Sequence, residues 1–206
     1  MSDARMALAR RGLRLNYLTI AYNVLEAVVS LAAGLLAGSI ALVGFGLDSV
    51  IEVTASGAAQ WRLRADADAT RRERAERVAH RVIGWCFLAL AVYVVSDSAR
   101  SIWFHERAEP SLVGITILAL SVVVMPVLAR AKRRVALAMG SGALRSEATQ
   151  TSLCAYLSAI ALAGVALNAL VGWWWADPVA ALAMVPIIAK EGFAGVRGDT
   201  CDDACG

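Results

Sequence analysis

Two acidic residues lie one helical turn apart in an otherwise apolar stretch of this sequence. Asp48 and Glu52 occupy the middle of residues 38–61, most of which are apolar or small. A charged side chain at the centre of a bilayer costs roughly 2.5–3.5 kcal/mol on insertion scales. Because positions i and i+4 share one face of a helix, the two carboxylates predict a polar cavity that suits a divalent cation or protons.

A second pair has the same spacing. Gln150 and Cys154 also lie at i and i+4, and if the two segments are antiparallel neighbours, Asp48 is level with Cys154 and Glu52 with Gln150. Four donors from two helical turns suit a tetrahedral ion, so we predict Zn²⁺, with Cd²⁺ also favoured by the sulfur. Because an amide is a weak ligand, Gln150 is either the fourth donor or a group that orients a carboxylate or a water.

The same residues predict proton exchange. Two carboxylates about 6 Å apart on one helix face do not both ionise readily in a low dielectric. A divalent cation needs deprotonated ligands, so its binding releases protons. We therefore expect Glu52→Gln to weaken both transport and its pH dependence.

The composition indicates a membrane protein. The chain has 206 residues, of which 59% are hydrophobic and 18% charged, and its mean hydropathy is +0.61, which is too apolar for an ordinary soluble domain. We predict an all-α bundle of six transmembrane helices that forms a single transmembrane domain over residues 1–206. The predicted spans are residues 15–37, 39–61, 82–104, 111–129, 147–170 and 173–189, followed by a short cytoplasmic tail at 190–206. Five spans with a re-entrant sixth segment are the alternative, since the last run is short.

The basic residues predict the orientation. All lysines and arginines except Arg100 and Arg107 precede the first span, connect spans two and three or four and five, or follow the sixth. The positive-inside rule then places both termini in the cytoplasm, and we expect the protein to lie in the plasma (inner) membrane. The basic loop 62–81 lacks aromatic residues, so we expect it to lie near anionic lipid and not to bind nucleic acid.

Several short motifs, in their order and spacing, resemble the cation diffusion facilitator superfamily. They are Asn23 with Glu26, residues 38–42 leading to Asp48 and Glu52, the pair in the fifth span, and residues 176–178. In particular, the chain resembles a short branch of cation transporters that lacks the cytoplasmic C-terminal domain. The resemblance implies a six-helix exporter of Zn²⁺ or a related metal such as Co²⁺, usually proton-coupled and a homodimer, with spans two and five in contact.

The chain departs from the usual pattern of that superfamily at two places. The fifth-span pair is usually His and Asp, where this chain has Gln150 and Cys154. The second-span pair usually ends in Asp, where this chain has Glu52.

Three acidic residues outside the two pairs each have two interpretations. Glu26, with Asn23, either forms an interhelical hydrogen bond or lines the ion path. Glu147 is either a ligand at the cytoplasmic entrance or an interfacial residue. Asp177, which precedes Pro178, is either the N-cap of the sixth helix or a carboxylate that meets the departing cation.

The C-terminal residues carry two cysteines. Cys201 and Cys205 flank two aspartates, and in the cytoplasm they are expected to be reduced thiols. They either capture metal for the inner entrance or belong to a tail without function.

The sequence thus predicts secondary active export of a divalent transition-metal cation in exchange for protons, by a protein that is not an enzyme. The ion would cross between spans two and five as the bundle opens its site first to the cytoplasm and then to the outer side of the membrane. A non-transporting membrane metal sensor or partner subunit is the main alternative. A proton-coupled carrier of an organic solute is a third, although the spans hold few other polar residues.

Overall fold

The computed structural model describes residues 3–65, 69–140 and 142–197, and within these ranges the chain forms six α-helices. They are α1 (Asp3–Ala37), α2 (Ile40–Ala65), α3 (Ala69–Phe104), α4 (Leu112–Met139), α5 (Gly142–Val171) and α6 (Ala176–Arg197). Each contains a segment long and apolar enough to cross a membrane. The predicted six-span, all-α bundle is therefore confirmed, and the re-entrant sixth segment is not needed.

The sixth helix differs from its predicted bounds at both ends. It begins at Ala176, after the tryptophans, and Pro178 lies in its first turn, where the missing N–H needs no partner. The rings of Trp173 and Trp175 stack at 5.1 Å just before the helix begins. At the other end α6 continues to Arg197, so the first part of the predicted tail is helical.

The rest of that predicted tail, residues 198–206, lies outside the described residues. The prediction of metal capture by Cys201 and Cys205 concerns these residues and stays a prediction.

The first two helices form a tight hairpin, since only Gly38 and Ser39 separate them. Gly38 has φ of +65°, a conformation that glycine adopts readily. The N–H of Ser39 donates to the carbonyl of Gly34 at 3.0 Å, which closes the end of α1. The hydroxyl of Ser39 accepts from the N–H of Leu42 at 3.2 Å and so caps α2.

Glycines allow α1 and α2 to approach each other closely. A Cβ atom at Gly34 would lie 2.8 Å from the backbone nitrogen of Val43, and one at Gly46 would lie 3.0 Å from that of Leu31. Small residues at such contacts let two membrane helices pack backbone to backbone. The polar residues of α1 are thereby brought next to those of α2.

Helix α2 lies inside the bundle, where it contacts α1, α3, α5 and α6. Around it, α3 packs against α6, and α4 packs against both α5 and α1. The predicted contact between spans two and five is therefore present. The apolar core includes residues from α2, α4 and α6, among them Leu42, Phe45, Leu118, Met125 and Met184.

Candidate metal centre

A cluster of three ionisable side chains lies within this apolar core. Asp48 and Glu52 of α2 face α5, and Cys154 of α5 faces them; all three side chains are buried. One ligand atom from each residue lies within 4.8 Å of the other two. The structure thus brings together three of the four residues that the sequence predicts as ligands.

The hydrogen bonding of this cluster is incomplete. Among the described residues, Oδ2 of Asp48 and Oδ1 of Asn23 are buried and have no hydrogen-bond partner. Both atoms are acceptors, and leaving an acceptor buried without a partner costs free energy. A bound cation would satisfy Asp48, whereas a proton on the carboxylate would remove only its charge.

The spacing of the ligand atoms is suited to a small cation. In a tetrahedral zinc site the ligand atoms lie about 3.5 Å apart, as Zn–S of about 2.3 Å and Zn–O of about 2.0 Å require. The ligand atoms of Asp48, Glu52 and Cys154 lie within 4.8 Å of one another, so they need to approach by about 1 Å to reach that separation. Small side-chain rotations around an ion can bring them that much closer.

Helix α1 contributes two further polar residues to the cluster. Nδ2 of Asn23 donates to Oε2 of Glu52 at 2.8 Å. Glu26 is fully buried; its Oε1 accepts a hydrogen bond from Ser121 of α4, and its Oε2 lies 3.9 Å from Sγ of Cys154, which donates to it. Both α1 residues therefore form interhelical hydrogen bonds, and Glu26 also contacts a candidate ligand.

Gln150 is less closely associated with the cluster. It lies on α5 one turn before Cys154 and is half-buried. Within the part of the chain that the structure describes, its side chain forms no hydrogen bond with Asp48, Glu52 or Cys154. Its predicted role as a ligand stays a prediction.

A buried lysine lies near the cluster, and the sequence reasoning missed it. Lys132 of α4 is 1% exposed, and its Nζ donates to Oε2 of Glu147 at 3.2 Å, to Oγ1 of Thr151 at 3.2 Å and to Oδ1 of Asn16 at 3.5 Å. Glu147, predicted to be an entrance ligand or an interfacial residue, is thus the partner of a buried ammonium group.

Helical periodicity could have revealed the burial of Lys132. It shares its helix face with the buried residues Ala129, Val135 and Ala136, at offsets of three and four residues. In the sequence this pattern was hidden because Lys132 lies among three arginines that all count toward the positive-inside rule.

A further acidic residue that the sequence did not single out is Glu191 of α6. It is half-buried, and its carboxylate acts electrostatically on Asp48. It adds to the negative potential around the cluster.

Asp177 has a different role from the predicted cap of its own helix, and that expectation is wrong. Its Oδ1 accepts from the hydroxyl of Ser39 at 2.5 Å, and its Oδ2 accepts from the N–H of Ile40 at 2.8 Å. It lies within the first turn of α6, so its carboxylate caps the start of α2 instead. The cap is tertiary because the tight α1–α2 turn presents its donors directly to α6.

The fold and the cluster define a class of protein: a helical membrane bundle with a buried, acidic, thiol-containing centre for a cation. Residues 17–197 match the sequence model of the cation efflux transmembrane domain. The chain therefore belongs to the cation efflux family, the cation diffusion facilitators, as the motifs indicated. This makes it a multi-pass membrane transporter of metal cations, and the family consists of transporters rather than enzymes. No curated protein sequence gives a significant match to the chain.

Proposed function

We propose that this protein exports Zn²⁺ from the cytoplasm in exchange for protons, and that Asp48, Glu52 and Cys154 bind the ion. The observation that carries the proposal is the buried cluster of these three ligand atoms within 4.8 Å, together with the unpartnered oxygen of Asp48. A membrane bundle tolerates such a cluster where it serves an ion pathway.

The donor set supports the choice of metal. Two carboxylates and one thiolate suit Zn²⁺, and Cd²⁺ and Co²⁺ are the expected competitors. Ca²⁺ and Mg²⁺ require more oxygen ligands than the cluster of Asp48, Glu52 and Cys154 offers. Three protein ligands leave one position of a tetrahedral ion, which Gln150 or a water molecule fills in the interpretation drawn from the sequence.

Proton exchange rests on the crowding of acidic groups. Asp48, Glu52 and Glu26 are close enough to repel one another electrostatically. Protons relieve that repulsion when no metal is bound, and a divalent cation relieves it when metal is bound. One site can therefore carry either species, which is the requirement for exchange. Glu52→Gln is expected to weaken Zn²⁺ transport and to reduce its dependence on pH, whereas an unchanged pH profile would count against the pair.

The direction of transport rests on the distribution of charge. The positive-inside rule places the α2–α3 and α4–α5 connections in the cytoplasm of a cell whose plasma (inner) membrane holds the protein. Glu147 then lies on the cytoplasmic side of the cluster and Asp177 on the outer side. A homodimer is the expected assembly, as the family resemblance implies.

The test is Zn²⁺ uptake into proteoliposomes under an imposed pH gradient. We expect gradient-driven uptake by the wild-type protein and none by Asp48→Ala. Asp97→Ala is the matched control, because Asp97 pairs with Arg100 on α3 at 3.1 Å, away from the cluster. Zn²⁺ binding without uptake by the wild-type protein would favour the metal sensor or partner subunit instead, and displacement of Zn²⁺ by an organic solute would favour the third alternative.

A further inference from the structure

We propose that Glu26 of α1, and not Gln150 of α5, supplies the fourth protein ligand of the transported ion. This inference rests on the proposed function and specifies its binding site further. The site would then be built from three helices, α1, α2 and α5, with three carboxylates and one thiolate as donors.

The first observation is the distance from Glu26 to Cys154. Oε2 of Glu26 lies 3.9 Å from Sγ of Cys154. The sulfur and oxygen ligands of a tetrahedral zinc ion are separated by about 3.5 Å. Glu26 therefore already approaches one ligand at nearly the separation that a shared ion requires.

The second observation is the orientation of the Glu26 carboxylate. Ser121 holds Oε1, and Ser121 in turn hydrogen-bonds the hydroxyl of Tyr22 at 3.2 Å and the carbonyl of Ile117 at 2.8 Å. This network fixes one oxygen against α4 and leaves Oε2 directed at the sulfur. A ligand that is held by a hydrogen bond at its other oxygen is the usual arrangement around protein metal sites.

The third observation is the position of Glu26 relative to the remaining ligands. Its carboxylate lies beside Cys154 but outside the group of ligand atoms within 4.8 Å that Asp48, Glu52 and Cys154 form, so the proposal includes a small movement of Glu26 toward the ion. Asn23, one turn earlier on α1, already donates to Glu52 at 2.8 Å. The α1 face that carries Asn23 and Glu26 is therefore part of the wall of the cluster.

Among the described residues, Gln150 shows no comparable short distance to Cys154 and no comparable hydrogen-bond network. Its side chain is half-buried, and the next residue, Thr151, accepts a hydrogen bond from Lys132 at 3.2 Å. An amide oxygen is also a weaker ligand than a carboxylate oxygen for a divalent cation.

The consequence is a change in metal preference. Replacing Glu26 by a poorer oxygen donor removes a hard ligand and should shift preference from Zn²⁺ toward the softer Cd²⁺. Replacing Cys154 by Ser removes the soft ligand and should shift preference the opposite way. A residue that only held α1 against α4 would produce neither shift.

The experiment measures Co²⁺, Zn²⁺ and Cd²⁺ binding to the purified full chain in detergent. The background carries Ser at Cys86, Cys201 and Cys205, so that Cys154 is the sole thiol of the four in the chain. Bound Co²⁺ reports both the coordination number and the presence of a thiolate ligand. Its visible bands follow coordination number, and its near-ultraviolet band requires a thiolate.

We expect Glu26→Gln to weaken Zn²⁺ binding by more than about 100-fold, which exceeds the cost of losing an outer partner, to alter the visible bands of bound Co²⁺, and to retain the thiolate band. The ratio of Zn²⁺ to Cd²⁺ affinity should fall in Glu26→Gln and rise in Cys154→Ser. Glu26→Asp, which keeps the charge but shortens its reach, should give an intermediate loss if Glu26→Gln proves difficult to purify. Asp97→Asn should leave all of these quantities unchanged.

Three results would overturn the inference. The first is an unchanged Co²⁺ spectrum and Zn²⁺ affinity in Glu26→Gln, with the expected loss appearing in Gln150→Ala instead. The second is an equal loss of Zn²⁺ affinity in Glu26→Gln and Ser121→Ala with the visible bands of bound Co²⁺ unchanged in both, since a purely structural hydrogen bond between α1 and α4 would explain it. The third is a wild-type protein that binds no divalent cation, which would overturn the proposed function as well, whereas the first two leave that function intact.

Discussion

Asp48 and Asp177 are both buried aspartates associated with helix α2, and their surroundings differ. Asp177 caps the start of the helix, and each of its oxygens accepts a hydrogen bond. Asp48 lies eight residues further along, faces Glu52 and Cys154, and has one oxygen without a partner. A fully satisfied carboxylate stabilises the fold, whereas an unsatisfied one beside other acids destabilises it and is available to a cation.

The difference between Asp48 and Asp177 predicts that substitution of Asp48 has the largest effect on Zn²⁺ binding. Asp48→Asn should weaken Zn²⁺ binding more than 100-fold, because loss of a direct ligand exceeds the 10- to 100-fold cost of losing an outer partner. The metal-free protein should be as stable as wild type or more stable, since the substitution removes a buried charge from a repulsive cluster. Isothermal titration calorimetry and thermal unfolding in detergent measure the two quantities. Unfolding of Asp48→Asn would make Asp48 a structural residue like Asp177.

Asp177 should show the opposite pattern. Asp177→Ala leaves the donors of Ser39 and Ile40 without an acceptor, so we expect a loss of about 2 kcal/mol in the free energy of unfolding. Asp177→Asn should lose less, because its amide carbonyl still accepts one of the two bonds. Zn²⁺ affinity of the folded protein should change by no more than about threefold. A greater loss of affinity in both variants would connect Asp177 with the ion pathway.

Substitutions of the buried ion pair of Lys132 and Glu147 are expected to have smaller effects, and a double-mutant cycle measures them directly. Glu147→Gln should cost about 1–2 kcal/mol, less than the roughly 3–5 kcal/mol of an uncompensated buried charge, because Thr151 and Asn16 still accept from Lys132. The double variant with Lys132→Met should recover most of that loss in a thermal double-mutant cycle.

Lys132 also affects the metal centre from a distance, since its positive charge acts on Glu52. At a pH high enough to ionise the carboxylates, Lys132→Met alone should therefore strengthen Zn²⁺ binding by about threefold, because it removes a cation that repels the metal. Weaker binding would instead place Lys132 among the groups that hold the ligands in position.

Much of this structure follows from periodicity and composition. The apolar runs locate six spans, and the i, i+4 spacing of Asp48 with Glu52 places both on one helix face. The antiparallel order of spans then puts Cys154 at the depth of Asp48. These inferences need only the geometry of single helices and the thickness of a membrane.

Contacts between helices distant in sequence could not be predicted in this way. Asp177 next to Pro178 resembles a local cap, and nothing in the sequence shows that the α1–α2 turn lies beside it. Glu26 pairs with Ser121, 95 residues later, because α1 packs against α4 as well as α2. Helix periodicity tells which face is buried but not which neighbour supplies the partner.

The hydrogen bonds from Ser39 and Ile40 to Asp177 hold α6 to the start of α2 at one point, which would be the pivot of any tilt of α2. The turn at Gly38 and Ser39 joins α1 to α2 at that point, and Asp177 fastens α6 to the same place. By the rise of a helix, Asp48 lies about 12 Å from the pivot and the end of α2 at Ala65 about 38 Å from it. A rigid tilt of α2 about this point that shifted Asp48 by about 1 Å would therefore move the far end of α2 by about 3 Å.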